Sequence, residues 1–277
     1  MSRREKTWWW IAGAAILLYC LFPIAWILSL SFKGPADLAN KQFLPTALTG
    51  ENYSAILTGN ASDLFLPALR NSFGICLIAT FISCILSMFA AYAIARLDFP
   101  GKKLILSAAL GVAIFPVISI VTPLFNLWRQ IGLYDTWLGL IIPYLSLTLP
   151  ISIWTMSAFF REIPWEMEQA AQVDGATTWQ AFRKVIVPLA APGVFTTAII
   201  AFFIAWNDFA YGISLTSTSR ARPVPAALGL FSGSSQFVDP SGAIAAAAVV
   251  VTIPVVVLVL IFQRRIVAGL TNGAVKG

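Results

Sequence analysis

Between Glu166 and Gln180 the chain reads EMEQAAQVDGATTWQ, and here the residue types able to engage another molecule cluster most densely. Glu166, Glu168 and Asp174 supply carboxylates, Gln169 and Gln172 amides, and Ala170, Ala171 and Gly175 a surface without bulk. Such a set suits a contact between proteins rather than bond-making. Bond-making has little support elsewhere. Histidine is absent, which removes Ser-His-Asp catalysis and His-ligated zinc together. Cys20, Cys76 and Cys84 each sit in an apolar run, form no C-x-x-C pair and read as packing residues. Cys20 follows Tyr19, too bulky for the small residue that precedes a lipidated cysteine. PGKK at 100–103 is the nearest approach to a phosphate-binding loop and lacks the rest of that motif. No cofactor, metal or catalytic residue is therefore expected, and ATP hydrolysis is not expected of this chain.

Local signals predict how the cluster is held. Pro164 suits the first turn of a helix, and Glu166 and Glu168 favour its positive end. Asp174-Gly175 signals a turn, because glycine tolerates the left-handed backbone that ends a helix. Thr177 with Gln180 fits a capping box opening a second helix. That helix carries Trp179, Phe182 and Ile186 on one face, and Pro188 follows as the chain turns into an apolar run. A short amphipathic helix and tight turn can fit a partner's groove. A helix lying flat on a membrane is the competing reading. It is weakened by the scarcity of bulky apolar and basic residues in MEQAAQVDGAT.

The elements around the cluster are apolar. Of 277 residues, 58% are hydrophobic and 11% charged, against about 25% charged in soluble domains. A membrane-spanning helix needs about 20 apolar residues. Six stretches qualify: 8–32, 68–95, 104–127, 137–160, 186–212 and 243–262. They are too long for barrel strands and lack period-two alternation. The expected class is all-α, a polytopic membrane protein with six transmembrane helices. The first stretch exceeds a signal-peptide core of about 7–15 residues and lacks a small-residue cleavage site, so it reads as a retained helix. Trp8, Trp9 and Trp10 suit the interfacial belt. Prolines 116, 123, 143, 150 and 254 are expected to kink spans.

Orientation follows from basic residues. With the N-terminus inside, inner segments hold Arg3, Arg4, Lys6, Arg96, Lys102, Lys103, Arg161, Arg183, Lys184, Arg264, Arg265 and Lys276. Outer segments hold only Lys33, Lys41, Arg70, Arg129, Arg220 and Arg222. The positive-inside rule then places both termini and the 166–180 cluster in the cytoplasm. Acidic residues divide evenly, so the net charge of +6 belongs to topology, not to nucleic-acid binding. Two outer segments, 33–67 and 214–242, are long; in the second, PVPAALGLF is apolar enough to dip back or touch a partner.

On these residues the chain resembles a known family. QAAQVDG, nine residues, then VIVP is similar to the cytoplasmic signature E-A-A-x-x-x-G-x(9)-I-x-L-P of ABC importer permeases. Ala170 and Ala171 take the alanine positions, Gly175 the glycine, and Val185, Val187 and Pro188 the tail; Gln169 stands where the family has Glu, with Glu168 just before it. NSF at 71–73, AYAIARLDFPGKK, WND at 206–208 and GLTNGAVKG resemble carbohydrate-importer permeases, in particular the smaller permease of maltose- and trehalose-type systems. The resemblance implies the MetI-like permease fold in a bacterial or archaeal cytoplasmic membrane. It also implies a homologous second permease, two ATP-binding subunits and an external sugar-binding protein. It divides the chain into an N-terminal tip, first helix and outer loop (1–67), a permease core (68–265) with a coupling helix within about 164–184, and a cytoplasmic tail (266–277). Contact with the ATPase is implied for Glu168, Gln169, Ala170, Ala171, Asp174, Gly175 and Pro188, and the resemblance extends that interface to the tail.

Alternating between outward- and inward-open states needs work. Moving a two-state equilibrium from 1:99 to 99:1 takes about 5.5 kcal/mol of differential interaction. A small solute that binds both states alike does not supply this, so the coupling segment is expected to deliver it. Trp206, Asn207 and Tyr211, with Asn126 and Trp128, are the aromatic and amide residues placed to meet a sugar, such as trehalose or maltose, near outer span ends. Helix-end capping and interfacial anchoring compete for the same residues. Asp208 lies about 20 residues after Pro188, hence near the outer surface, where an acid costs little. An ABC permease for a non-sugar solute such as glycerol phosphate is the second reading. An ion-coupled secondary transporter ranks below it, because the spans carry almost no mid-membrane ionisable residues.

Overall fold

The computed structural model describes residues 2–38, 42–231 and 240–274, the side chains of Arg3 and of 263–274 excepted. Lys41, Lys276, positions 232–239 of the second long segment and the last three residues of the expected tail lie outside the described residues. Among the described residues the chain is helical, with no strand beyond one isolated bridge between Lys33 and Leu48. In order these are α1 (Arg3–Ser31), α2 (Pro35–Leu38), α3 (Glu51–Leu57), α4 (Ser62–Arg96), α5 (Lys102–Ala113), α6 (Val117–Ile131), α7 (Trp137–Glu162), α8 (Trp165–Val173) and α9 (Thr178–Ala181). A π-helical turn, Phe182–Ile186, leads into α10 (Val187–Leu189), α11 (Ala191–Trp206), α12 (Ala210–Leu215), α13 (Val224–Gly229) and α14 (Ser241–Ala274).

Four of these helices, α1, α4, α7 and α14, are long and apolar enough to cross a membrane singly. Two expected spans are broken. The third, 104–127, divides into α5 and α6 at an 86° bend. Pro116 is the cause: it sits extended (ψ 117°) at the N-cap of α6 and pushes the preceding residue away from helical geometry. The fifth, 186–212, is in fact α10, α11 and α12, with a 72° bend between Leu189 and Ala191. Pro188 and Pro192 flank that bend, and neither has an N–H for the helical ladder. Counting each bent pair once gives six spans. Pro123, Pro143, Pro150 and Pro254, also expected to kink spans, lie inside continuous helices. α14 continues into the expected tail from 266, as far as Ala274.

The chain forms two compact units. In the first, Met1–Pro67 with Ala227–Pro254, the long loop is knit by polar contacts. The Lys33 ammonium donates to the Gln42 carbonyl at 2.6 Å, and Asn52 donates to the carbonyls of Ser31 and Lys33. Asp37 accepts from both the amide and hydroxyl of Thr46 at 2.6 and 2.7 Å. Led by the hydroxyl bond, these contacts hold the Asp37 carboxyl below the usual carboxylate range. Loop backbone that would otherwise lack partners is thereby satisfied.

The second unit, Ala68–Ala226 with Val255–Gly277, contains α5 to α12 and most of α4. Here α7 packs against α5, α11 and α12, and α12 packs against α6. Lipid is as apolar as leucine, so helices associate through close packing rather than the hydrophobic effect. Small residues allow it. A Cβ on Gly193 of α11 would fall 2.4 Å from the Phe159 ring of α7, and one on Gly74 of α4 would fall 2.2 Å from the Trp137 ring.

Candidate functional site: a docked helical hairpin

The polar cluster folds as its local signals require. Pro164 is the N-cap of α8, and Gly175 turns the chain at φ +88°. Thr177 and Gln180 form both bonds of the capping box that opens α9. The resulting hairpin, α8 then α9 and the π turn, is seated on the ends of α4 and α7. Phe182, Ile186 and Ala190 join Ala91 of α4 and Met156, Phe160 and Ile163 from the end of α7 in one buried cluster. Phe182 meets Tyr92 edge-on at 4.7 Å and stacks on Trp179 at 5.5 Å. The π turn fits this seat, because one extra residue per turn re-aims the side chains that follow.

Beside the aromatic seat lies a buried polar network that the cluster's own sequence did not reveal. Glu168 points inward, with 5% of its surface exposed. Its carboxylate accepts from the Tyr92 hydroxyl at 2.5 Å and faces the Arg96 guanidinium, Nε to Oε2, at 3.8 Å. Arg96 also donates from Nη2 to the Ile163 carbonyl at 2.7 Å and lies 4.6 Å above the Trp165 ring. Tyr92 and Arg96 are four residues apart, so one face of α4 presents both. That spacing was the available signal, within AYAIAR. The two ends of each bond are 67 and 76 residues apart. Truncating one member of such a pair leaves a buried charge uncompensated, at a cost of about 3–5 kcal/mol.

The remaining cluster residues divide by face. Gln169, Ala170, Asp174 and Gly175 are exposed, Ala171 is half-buried, and Val173 next to the turn is 87% exposed. A Cβ added at Gly175 would meet no heavy atom within 4 Å. The turn is an open, protruding tip with little bulk. Pro188 sits on α10, at the approach to the 72° bend.

The five residues chosen for sugar contact do not form one site. Trp128 and Tyr211 share a cavity of about 220 Å³ with Phe115, Leu124, Pro143 and Ser146. Its walls are mostly apolar, and the Trp128 indole N–H is already given to the Gly139 carbonyl at 2.7 Å. Trp206 is buried against Phe73, ring centres 5.0 Å apart. Asn126 and Asn207 are exposed, and Asn207 donates back to the Phe203 carbonyl at 2.8 Å. Asp208, expected near a surface, is half-buried and accepts from the amides of Tyr211 and Gly212 at the start of α12. The apolar PVPAALGLF segment folds back: Val224 and Ala226 are buried, and the Val224 amide donates to Ser72. Next to it, Asn71 donates to the Ser219 and Arg222 carbonyls and accepts from the Trp137 indole.

Apolar spans, two of them bent, with a hairpin docked at the ends of α4 and α7, make this a polytopic helical membrane protein. The chain belongs to the family described as binding-protein-dependent transport system inner membrane component, whose pattern matches residues 85–272. The match contains both the hairpin and the α4 turns that hold it. Among relatives, the trehalose transport system permease SugB of Mycobacterium tuberculosis is 56% identical over 277 residues, the whole of both chains. The sulfoquinovosyl glycerol permease SmoH of Agrobacterium fabrum is 41% identical over 96% of this chain and 93% of its own. The trehalose/maltose permease MalG of Thermococcus litoralis is 38% identical over 96% of each. In structure, the chain is similar to one from a bacterial ABC transporter that imports the polysaccharide alginate, with TM-score 0.79 and 24% identity over 95% of this chain and 98% of that one. The protein is therefore a membrane-embedded transport permease.

Proposed function

We propose that this chain is one permease subunit of an ATP-driven importer and forms half of the path for a disaccharide such as trehalose or maltose. An external binding protein delivers the sugar, a homologous second permease completes the path, and two separate ATP-binding subunits hydrolyse the nucleotide. The observation that carries this reading is the 56% identity, along the entire length of both chains, to a trehalose transport permease. The hairpin supports its mechanical half. Gln169, Ala170, Asp174 and Gly175 are exposed on a hairpin whose base is seated against α4 and α7, as a surface pushed by a cytoplasmic partner must be. Both termini then lie in the cytoplasm, a placement the asymmetry of basic residues supports.

The test is uptake of labelled trehalose and maltose by vesicles containing the complete transporter, with and without internal ATP. ATP-dependent uptake of either sugar is the expected result. Uptake that survives ATP depletion and collapses with the ion gradient would overturn the reading. The second reading is a permease of the same architecture for a non-sugar solute such as glycerol phosphate; a relative named for sulfoquinovosyl glycerol transport is 41% identical. Transport of glycerol phosphate without either disaccharide would select it.

A further inference from the structure

α8 emerges from α7 through Ile163, whose backbone is extended at ψ 124°, and Pro164. Pro164 restricts this two-residue link, but the link lies outside both helices, and a partner pushing on the hairpin tip could still tilt α8 through the torsions that remain free. The structure blocks that motion from a third element. Arg96 grips the carbonyl of the link itself, at Ile163, and covers Trp165 on the first turn of α8. Tyr92 holds Glu168 one turn further along. All three contacts come from the last turns of α4, which also supplies Ala91 to the aromatic and aliphatic seat. The hairpin is thus clasped to α4 as well as covalently joined to α7.

We infer that Tyr92 and Arg96 are positioning residues for coupling, with Glu168 as the handle on α8. The carboxylate does not face the partner; it fastens the lever so that a push on the Gly175 tip moves α4 instead of turning α8 about its link. The inference rests on the reading that this tip engages an ATP-hydrolysing subunit, and it assigns Glu168 a different task from its exposed neighbours. Arginine suits the position because its planar fork can serve the Ile163 carbonyl, the Trp165 face and a carboxylate together, which a lysine point charge cannot.

The experiment compares Tyr92→Phe, Arg96→Lys and Glu168→Gln in the complete transporter reconstituted in vesicles. It reads sugar imported per ATP hydrolysed, and cross-linking to the ATP-binding subunit from a cysteine placed at Val173. The expected result is an undiminished cross-link with at least a fivefold lower import-to-hydrolysis ratio in Glu168→Gln and Arg96→Lys, and a smaller fall in Tyr92→Phe. A wild-type ratio in all three variants, with the cross-link intact, would overturn the clasp and leave the coupling reading standing. Loss of assembled complex in all three, Tyr92→Phe included, would also overturn it, by making the network a folding element. No cross-link even in the otherwise wild-type chain would remove the coupling reading, and the clasp with it.

Discussion

Gly175 can be replaced in a way that separates its backbone role from its clearance role. Its φ of +88° lies where an L-residue pays about 1–2 kcal/mol. At about 1.4 kcal/mol per tenfold, alanine there should reduce the population of the native turn by roughly five- to thirtyfold. Asparagine visits this region readily and avoids most of that penalty. Within the chain a Cβ at this position has nothing within 4 Å. Beyond the backbone strain common to L-residues, added bulk there points into open space and chiefly harms a contact with another molecule. If glycine serves the turn alone, uptake by the reconstituted transporter should rank asparagine above alanine. If a partner approaches the tip closely, the order reverses, and tryptophan nearly abolishes uptake while the protein still reaches the membrane. We expect the reversed order, with alanine retaining about a tenth to a fifth of wild-type uptake, the mild end of about 1–2 kcal/mol. Wild-type uptake by a well-expressed Gly175→Trp variant would refute the reasoning outright.

Two further perturbations test the frame around the site. Asn71→Ala leaves two carbonyls and the Trp137 indole without their partner and should cost about 1–3 kcal/mol, read as a lower unfolding temperature in detergent; an unchanged midpoint would show that water replaces all three bonds. Asp37 has a lowered pKa, so its stabilisation of the long loop is complete at neutral pH and is lost as pH falls below about 4, the unfolded value, through the folded one. Amide exchange at Thr46, corrected for its intrinsic rate, should accelerate over that window, and Asp37→Asn should show the same acceleration at neutral pH. Equal protection in the variant would mean that the amide alone holds the loop.

What could be read in order along the chain was whatever neighbouring residues decide among themselves. The apolar lengths of α1, α4, α7 and α14, the left-handed Gly175, and the Thr177–Gln180 capping box depend on contacts within one turn or on hydropathy summed along a helix. They needed no tertiary information, and the family signature is built on such local pieces. The inward turn of Glu168 is of another kind. Nothing in EMEQAAQ separates a carboxylate facing a partner from one facing Tyr92, 76 positions away. Proline shows the same division: Pro116 breaks a span while Pro123, Pro143, Pro150 and Pro254 stay inside helices. A missing N–H is a local fact, but whether the freed carbonyl finds another partner depends on the packing around it. Likewise Asn71 meets Ser219 and Arg222 across 148 and 151 positions, and Trp128 and Tyr211 share a cavity that excludes Trp206. Local sterics and solvation determine the elements one at a time. Which of their faces meet is decided only when the helices pack, because that choice is made by contacts between residues the chain keeps far apart.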